Sequence, residues 1–93
     1  MVETTKWEIR DCFDVWGNEQ DGWDINDSYR VGEFDIPDDV IDNDKKLLEF
    51  VKAHTTLSTS DMRRIEVDGD CDVVMIKARK TQMPLFTLCR VYG

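Results

Sequence analysis

The sequence predicts a single α+β domain, in which an antiparallel sheet of about five strands carries one helix packed on a face. Five segments have the alternation or the short apolar runs of strands, and one segment has helical spacing. Most strands follow one another without a helix between them, which favours antiparallel neighbours. We therefore expect the order β-β-α-β-β-β, within one domain that spans residues 1–93.

The first strand is predicted over residues 5–15, where apolar and polar residues alternate with a period of two. Asp11 interrupts the apolar face, so we expect it near a sheet edge or hydrogen-bonded by a loop, because a buried lone carboxylate is costly. The residues predicted on the buried face are Trp7, Ile9, Phe13 and Val15.

The next stretch, residues 14–27, is rich in Gly, Asn and Asp and predicts a compact loop full of turns. Gly17 and Gly22 permit positive φ, and Asn and Asp side chains bond their own backbone. We interpret Trp16 as a structural residue of this loop that covers the core, and Trp23 as a contact residue. The candidate partner-binding residues are Asn18, Asp21, Trp23, Asp24, Asn26, Asp27 and Tyr29.

The remaining elements follow from local signals. Residues 28–36 read as a second strand, antiparallel to the first, with Gly32 favouring a bulge and Pro37 ending the strand. Asn43 and its acidic neighbours supply cap chemistry for a helix whose apolar face contains Leu47 and Val51. Three strands are predicted over residues 63–67, 73–79 and 85–92, with a hairpin turn at residues 68–70.

Charge is unevenly distributed along the chain, which has a formal net charge of −8. Residues 1–44 contain fourteen acidic and three basic residues, whereas residues 45–93 contain six acidic and nine basic ones. An acidic half repels nucleic acid, so we do not expect a nucleic-acid-binding protein, although five residues could line one basic patch. The acidic half could instead imitate nucleic acid toward a basic protein, or keep the domain soluble. The five basic residues are Arg63, Arg64, Lys77, Arg79 and Lys80.

No metal site, cofactor or membrane span is expected. Cys12, Cys71 and Cys89 are far apart in the sequence and His54 is the sole histidine, so zinc and disulfide frameworks are disfavoured and reduced thiols are expected. Calcium would suit the oxygen donors of residues 14–27, but their spacing lacks the pattern of a calcium loop, and turn chemistry explains them. There is no apolar run of about 20 residues and no secretory signal, so the cytoplasm is the expected location.

Catalytic residues cannot be assigned from the sequence. Asp11 or Asp14 could act as an acid or base, but close carboxylate pairs arise from composition alone in a chain with twenty acidic residues. His54 lies on the predicted helix, and Ser58 and Ser60 have no recognisable catalytic partner. We therefore do not expect an enzyme.

A resemblance is carried by Asp14-Val15-Trp16-Gly17-Asn18, Asp21-Gly22 and Ile25-Asn26-Asp27, followed by Ile36-Pro37 and by Glu66-Val67-Asp68-Gly69-Asp70. With these segments the chain resembles a group of small proteins, without an assigned activity, that bacteriophages and related mobile elements carry. The resemblance spans most of the chain. It implies a small accessory protein that acts in the cytoplasm of a bacterial host cell during infection, and it identifies no catalytic residues.

Three functional hypotheses follow. The leading one is a non-enzymatic phage accessory protein that binds a host protein, as an inhibitor of an antiviral defence system. The second is a protein that binds and sequesters a signalling nucleotide, with aromatic residues stacking on the base and arginines on the phosphates. The third is a minor virion or assembly protein that forms homo-oligomers through a sheet edge. The residues available for nucleotide binding are Trp16, Trp23, Tyr29, Arg30, Arg63 and Arg64.

Overall fold

The structure, a computed structural model, describes residues 3–55, 62–66 and 72–92. It contains five strands in one antiparallel sheet, in the spatial order β2-β1-β5-β4-β3. The predicted fold class is confirmed. A one-turn helix, α1, precedes the expected helix, α2. The elements are β1 Thr4–Asn18, β2 Gly22–Pro37, α1 Asp38–Ile41, α2 Asp44–His54, β3 Met62–Glu66, β4 Val73–Ala78 and β5 Pro84–Arg90.

The core lies between the sheet and α2. Leu47 and Val51 are fully buried on the helix side, and Phe34 of β2 meets Phe50 of α2 edge to face with a centroid distance of 6.0 Å. Each large apolar side chain buried in this way contributes about 1.5–3 kcal/mol relative to exposure. The other core residues are Trp7, Ile9, Ile36, Ile41, Met62, Val74, Ile76, Phe86 and Leu88.

Helix α2 begins where the sequence predicts it. The Asn43 side chain accepts a hydrogen bond from the backbone N–H of Lys46 at 3.0 Å, which satisfies one of the free donors of the first turn. Lys52 and His54 lie in the last turn, where positive charge suits the helix dipole. The helix is therefore capped at its start, and its apolar face docks on the sheet.

Residues 12–29 form a two-stranded projection, which we call the hairpin arm. β1 pairs with β5 only from Trp7 to Asp11, while its pairing with β2 continues to Asn18. The arm therefore extends beyond the part of the sheet in which β1 pairs with β5. The molecule measures 43 Å along its longest axis against 27 and 26 Å across. The predicted loop over residues 14–27 is wrong, because only residues 19–21 form a turn and the rest pairs as strands.

The alternation predicted for β1 fails in the arm. The register with β2 shifts between Asp11 and Asp14, where β1 contains one residue more than its partner. Such a bulge changes the side of the sheet to which the following side chains point. As a result Cys12 is buried, while Phe13, predicted on the buried face, is 57% exposed.

The second half of the chain forms the other side of the sheet. β3 pairs with β4 and β4 with β5, so the three strands form the expected meander, and Pro84 is the first residue of β5. The C-terminal strand β5 is central, and the edge strands are β2 and β3. The predicted turn at residues 68–70 lies outside the described residues, as do Cys71, Ser58 and Ser60.

Candidate functional site

The hairpin arm combines exposed aromatic rings with negative charge. Its eighteen residues include five carboxylates and no Lys, Arg or His. Three aromatic side chains and one aliphatic side chain are exposed on it, at fractions of 57% for Phe13, 64% for Trp16, 38% for Ile25 and 50% for Tyr29. Phe13 and Tyr29 form a ring pair. Exposed Trp and Tyr residues are typical of protein-binding surfaces, where they supply large contact areas with few rotatable bonds.

At the base of the arm, Tyr29 connects the aromatic surface to a carboxylate. Its ring lies 5.8 Å from that of Phe13, centroid to centroid, and it stands opposite Asp11 in the β1–β2 ladder. The negative charge of Asp11 raises the pKa of the Tyr29 hydroxyl, and a hydrogen bond to the same carboxylate adds to the effect. The phenol therefore keeps its proton and can donate a hydrogen bond to Asp11 or to a partner.

The tip of the arm is held by its own polar groups. The Asn18 side-chain oxygen accepts hydrogen bonds from the backbone N–H of Gln20 at 2.9 Å and of Asp21 at 2.7 Å, and its amide donates to the Asp21 carboxylate at 3.1 Å. Gly17 and Gly22 flank the turn with φ of 119° and 93°. Asn18 and Asp21, predicted to contact a partner, therefore have a structural role in shaping the turn.

The prediction that Trp16 covers the core is wrong, and the contact role of Trp23 stays a prediction. Trp16 was expected to cover the core but is exposed, because the arm extends past the layer formed by α2 and the sheet. Trp23, expected to be free for contact, is half-buried, and its indole N–H donates to the backbone oxygen of Thr81 at 2.8 Å. Since Thr81 lies in the β4–β5 turn, this hydrogen bond attaches the tip of the arm to the body.

A shallow groove lies beside Trp23 and bears on the nucleotide hypothesis. Its lining side chains come from the tip of the arm and from the β4–β5 turn, and none of them is positively charged. Arg30 is engaged with Glu8 and Glu33 at 3.2 and 2.9 Å, and Arg63 donates to Gln82. The groove therefore lacks the cations that would hold phosphates. Its lining residues are Asn18, Glu19, Gln20, Trp23 and Thr81.

Two of the remaining candidate residues bond within the arm. Asn26 donates to the Asp14 carboxylate across the ladder at 2.7 Å, and Asp27 accepts from the N–H of Ser28 at 2.8 Å, while Asp24 is exposed. Within the described parts of the chain, no three His, Cys, Asp or Glu side chains are grouped as a metal site requires.

A charged network fixes the junction of the arm with the sheet, which the sequence did not reveal. Arg10 donates to the Ser28 hydroxyl at 2.9 Å and to the Ser28 backbone oxygen at 3.0 Å, and contacts Glu8 at 3.3 Å. Glu8 stands directly opposite Glu33, and Arg30 bridges the two carboxylates. Arg10 thereby joins the two strands beside the register shift, at the base of the arm.

The groups weighed for catalysis are engaged elsewhere. The ring of His54 stacks on that of Phe50 at 4.3 Å, and its Nδ1 lies 2.8 Å from the Phe50 backbone oxygen. The Asp14 carboxylate accepts a hydrogen bond from the Asn26 side chain.

Burial raises the pKa of the Cys12 thiol, and the charge of Asp11 is a second cause. This thiol therefore stays protonated and is a weak nucleophile.

Comparison of the chain with family models, with curated proteins and with solved structures finds no match. In the described part of the chain, no helix has both the length and the apolar character needed to span a bilayer. Phe13, Ile25 and Thr81 were missed from the sequence, because the register shift and the contact between the arm and the β4–β5 turn are tertiary features.

Proposed function

We propose that this chain is a protein-binding module and that the hairpin arm is its contact surface. The observation that carries the proposal is the exposure of Phe13, Trp16 and Tyr29 on an arm with five carboxylates and no basic residue. The aromatic rings supply the contact area, and the carboxylates select a partner surface of positive charge.

The arm is suited to binding because its shape is fixed before a partner arrives. The Asn18 hydrogen bonds define the turn, the Trp23–Thr81 hydrogen bond attaches the tip, and the Arg10–Ser28 contacts orient the base. A preorganised surface loses little conformational entropy on binding. Each large aromatic side chain can bury about 150–250 Å², so the Phe13–Tyr29 pair and Trp16 each offer a large contact area to a partner.

We further propose that the partner is a host protein and that the chain is a non-enzymatic phage accessory protein that inhibits an antiviral defence system. The support is the resemblance of residues 14–27 and 66–70 to phage-borne proteins, together with the acidic arm. An acidic hairpin would compete for a basic surface that the host protein uses for nucleic acid. The encounter would be steered by charge and would slow as salt screens it.

The test is comparative capture from bacterial lysate. Immobilised wild-type protein, the double variant F13S/W16S and the control variant Y92S are compared at about 50 and 500 mM salt, concentrations chosen to lengthen and shorten electrostatic screening. Tyr92 is 69% exposed and lies outside the arm, so its loss removes an exposed ring without touching the proposed surface.

The proposal predicts one or a few proteins retained by the wild type and by Y92S at low salt, and lost with F13S/W16S or at high salt. Circular dichroism of each variant confirms that the fold is intact. Equal capture by all three proteins would contradict the proposal, since the aromatic surface would then contribute nothing to binding.

A further inference from the structure

The outer edge of β2, next to the arm, is an edge of the sheet in the part of the chain that the structure describes. There β2 is the first strand of the sheet, and its partner strand is β1. Within the described residues, no backbone hydrogen bond joins residues 22–36 to anything but β1. In an antiparallel pair, every second residue of an edge strand directs its N–H and C=O away from the sheet. This edge can therefore accept one more strand.

Only part of this edge is regular enough to extend the sheet. β2 contains extra residues where its register with β1 shifts, opposite the Ile9–Arg10 and Asp14–Val15 steps. Between the first of these shifts and the end of the strand, six consecutive residues, 32–37, pair without interruption with residues 4–9 of β1. Bulges disturb ladders, so an added strand fits best along residues 32–36.

The side chains of this stretch distinguish between partners. Glu33 and Asp35 are exposed, whereas Phe34 and Ile36 point toward α2 and the core. A second copy of the chain, pairing through the same edge, would place these carboxylates near one another, and like charges on facing strands are destabilising. A strand with Lys or Arg at alternate positions would place positive charge opposite them.

We propose that the edge of β2 at residues 32–36 pairs with an extended, basic segment of the partner protein, which becomes a sixth strand. The inference rests on the proposed function and adds the mode of recognition: main-chain hydrogen bonds supply affinity, and alternate basic side chains supply selectivity. The arm then contacts a second part of the same partner, with the adjacent aromatic rings.

The experiment uses a blocked ten-residue peptide that alternates lysine and threonine, titrated into the isotope-labelled full chain and followed by NMR. Two further peptides carry backbone N-methyl groups on every second residue, one peptide on the odd-numbered residues and the other on the even-numbered ones. An N-methylated residue cannot donate a hydrogen bond to a ladder. A fourth peptide has glutamate in place of lysine. The main protein variant, E33K/D35K, reverses the charge of the β2 edge. The neutral variant E33Q/D35N shows how much of its effect comes from losing the Glu33–Arg30 ion pair. The variant E3K/E49K makes the same change of net charge at two other exposed residues.

The expected result is that amide shifts concentrate at residues 30–37, with binding at least tenfold weaker for E33K/D35K, for the glutamate peptide and for one of the two methylated peptides. E33Q/D35N should weaken binding by a smaller factor, and E3K/E49K should stay within about threefold of the wild type, the change expected when only long-range charge is altered.

Other outcomes would overturn the edge proposal. One is that both methylated peptides bind the protein equally well, and another is that the amide shifts are confined to residues 12–29. A third is that the lysine–threonine peptide does not bind at low salt, and a fourth is that the protein self-associates through β2 in sedimentation experiments. Shifts confined to residues 12–29 and lost in F13S/W16S would refute edge pairing while leaving the arm as the contact surface, so the two proposals fail separately.

Discussion

Replacing Gly17 by alanine should open the tip of the hairpin arm, whereas the same replacement at Gly22 should have a smaller effect. Both glycines have positive φ, 119° and 93°, which side chains of L-residues rarely adopt. A Cβ on Gly17 would lie 2.2 Å from the backbone oxygen of Gly22, but a Cβ on Gly22 would meet no atom within 4 Å. The pair therefore separates steric overlap from backbone conformation.

The magnitudes follow from these two contributions. Positive φ costs a non-glycine residue about 1–2 kcal/mol, and this is the whole cost expected for G22A. In G17A the overlap with a backbone atom forces the strands apart, which adds about 1–3 kcal/mol, the usual cost of overpacking. Since about 1.4 kcal/mol is a tenfold change in an equilibrium constant, G17A should open the tip at least several times more often than G22A.

Amide hydrogen exchange resolved by residue measures this opening. In G17A the amides near the turn should lose protection, while those of residues 7–10, which lie between β2 and β5 in the sheet, keep theirs. G22A should show the same pattern with a smaller loss. Equal losses in the two variants would refute the geometry of the turn, and a loss of protection throughout the sheet would refute the description of the arm as a separate projection.

Two further predictions concern the arm. D11N should lower the pKa of Tyr29, because it removes the charge that disfavours the phenolate. The titration is followed by phenolate absorbance in a Y92F background, in which Tyr29 is the remaining tyrosine. An unchanged or higher pKa would contradict this prediction. W23F should cost about 1 kcal/mol of tip stability through loss of the hydrogen bond to Thr81, seen as faster amide exchange near the turn. A T81S control keeps both the backbone acceptor and the hydroxyl that accepts from the Met83 N–H, and it should behave as the wild type.

Much of the fold follows from local signals in the sequence. Alternation located Trp7 and Ile9 on the buried face of β1, and the cap at Asn43 located the start of α2. Both rely on contacts within one element or between neighbours in the chain. The sheet order was less accessible, because the central position of β5 depends on pairing with β1, which is about eighty residues away.

The arm could be located from the sequence but not described. Its glycines and asparagines favoured a loop, yet the long β1–β2 ladder absorbed them, with the turn reduced to residues 19–21. Trp16 is exposed and Trp23 is half-buried because the register shift after Asp11 and the backbone acceptor at Thr81 decide which ring is covered. Neither feature leaves a local signal, since one is a pairing irregularity and the other joins distant segments.

Site-specific photo-crosslinking shows which part of the surface a partner touches, and it can therefore decide whether the arm is the contact surface. A p-benzoylphenylalanine at position 16, in place of the exposed tryptophan, is compared in bacterial lysate with one at position 92, in place of an exposed tyrosine outside the arm. We expect a discrete crosslinked species from position 16 that weakens at high salt and is absent from position 92. The same products from both positions, or products from position 92 alone, would contradict it.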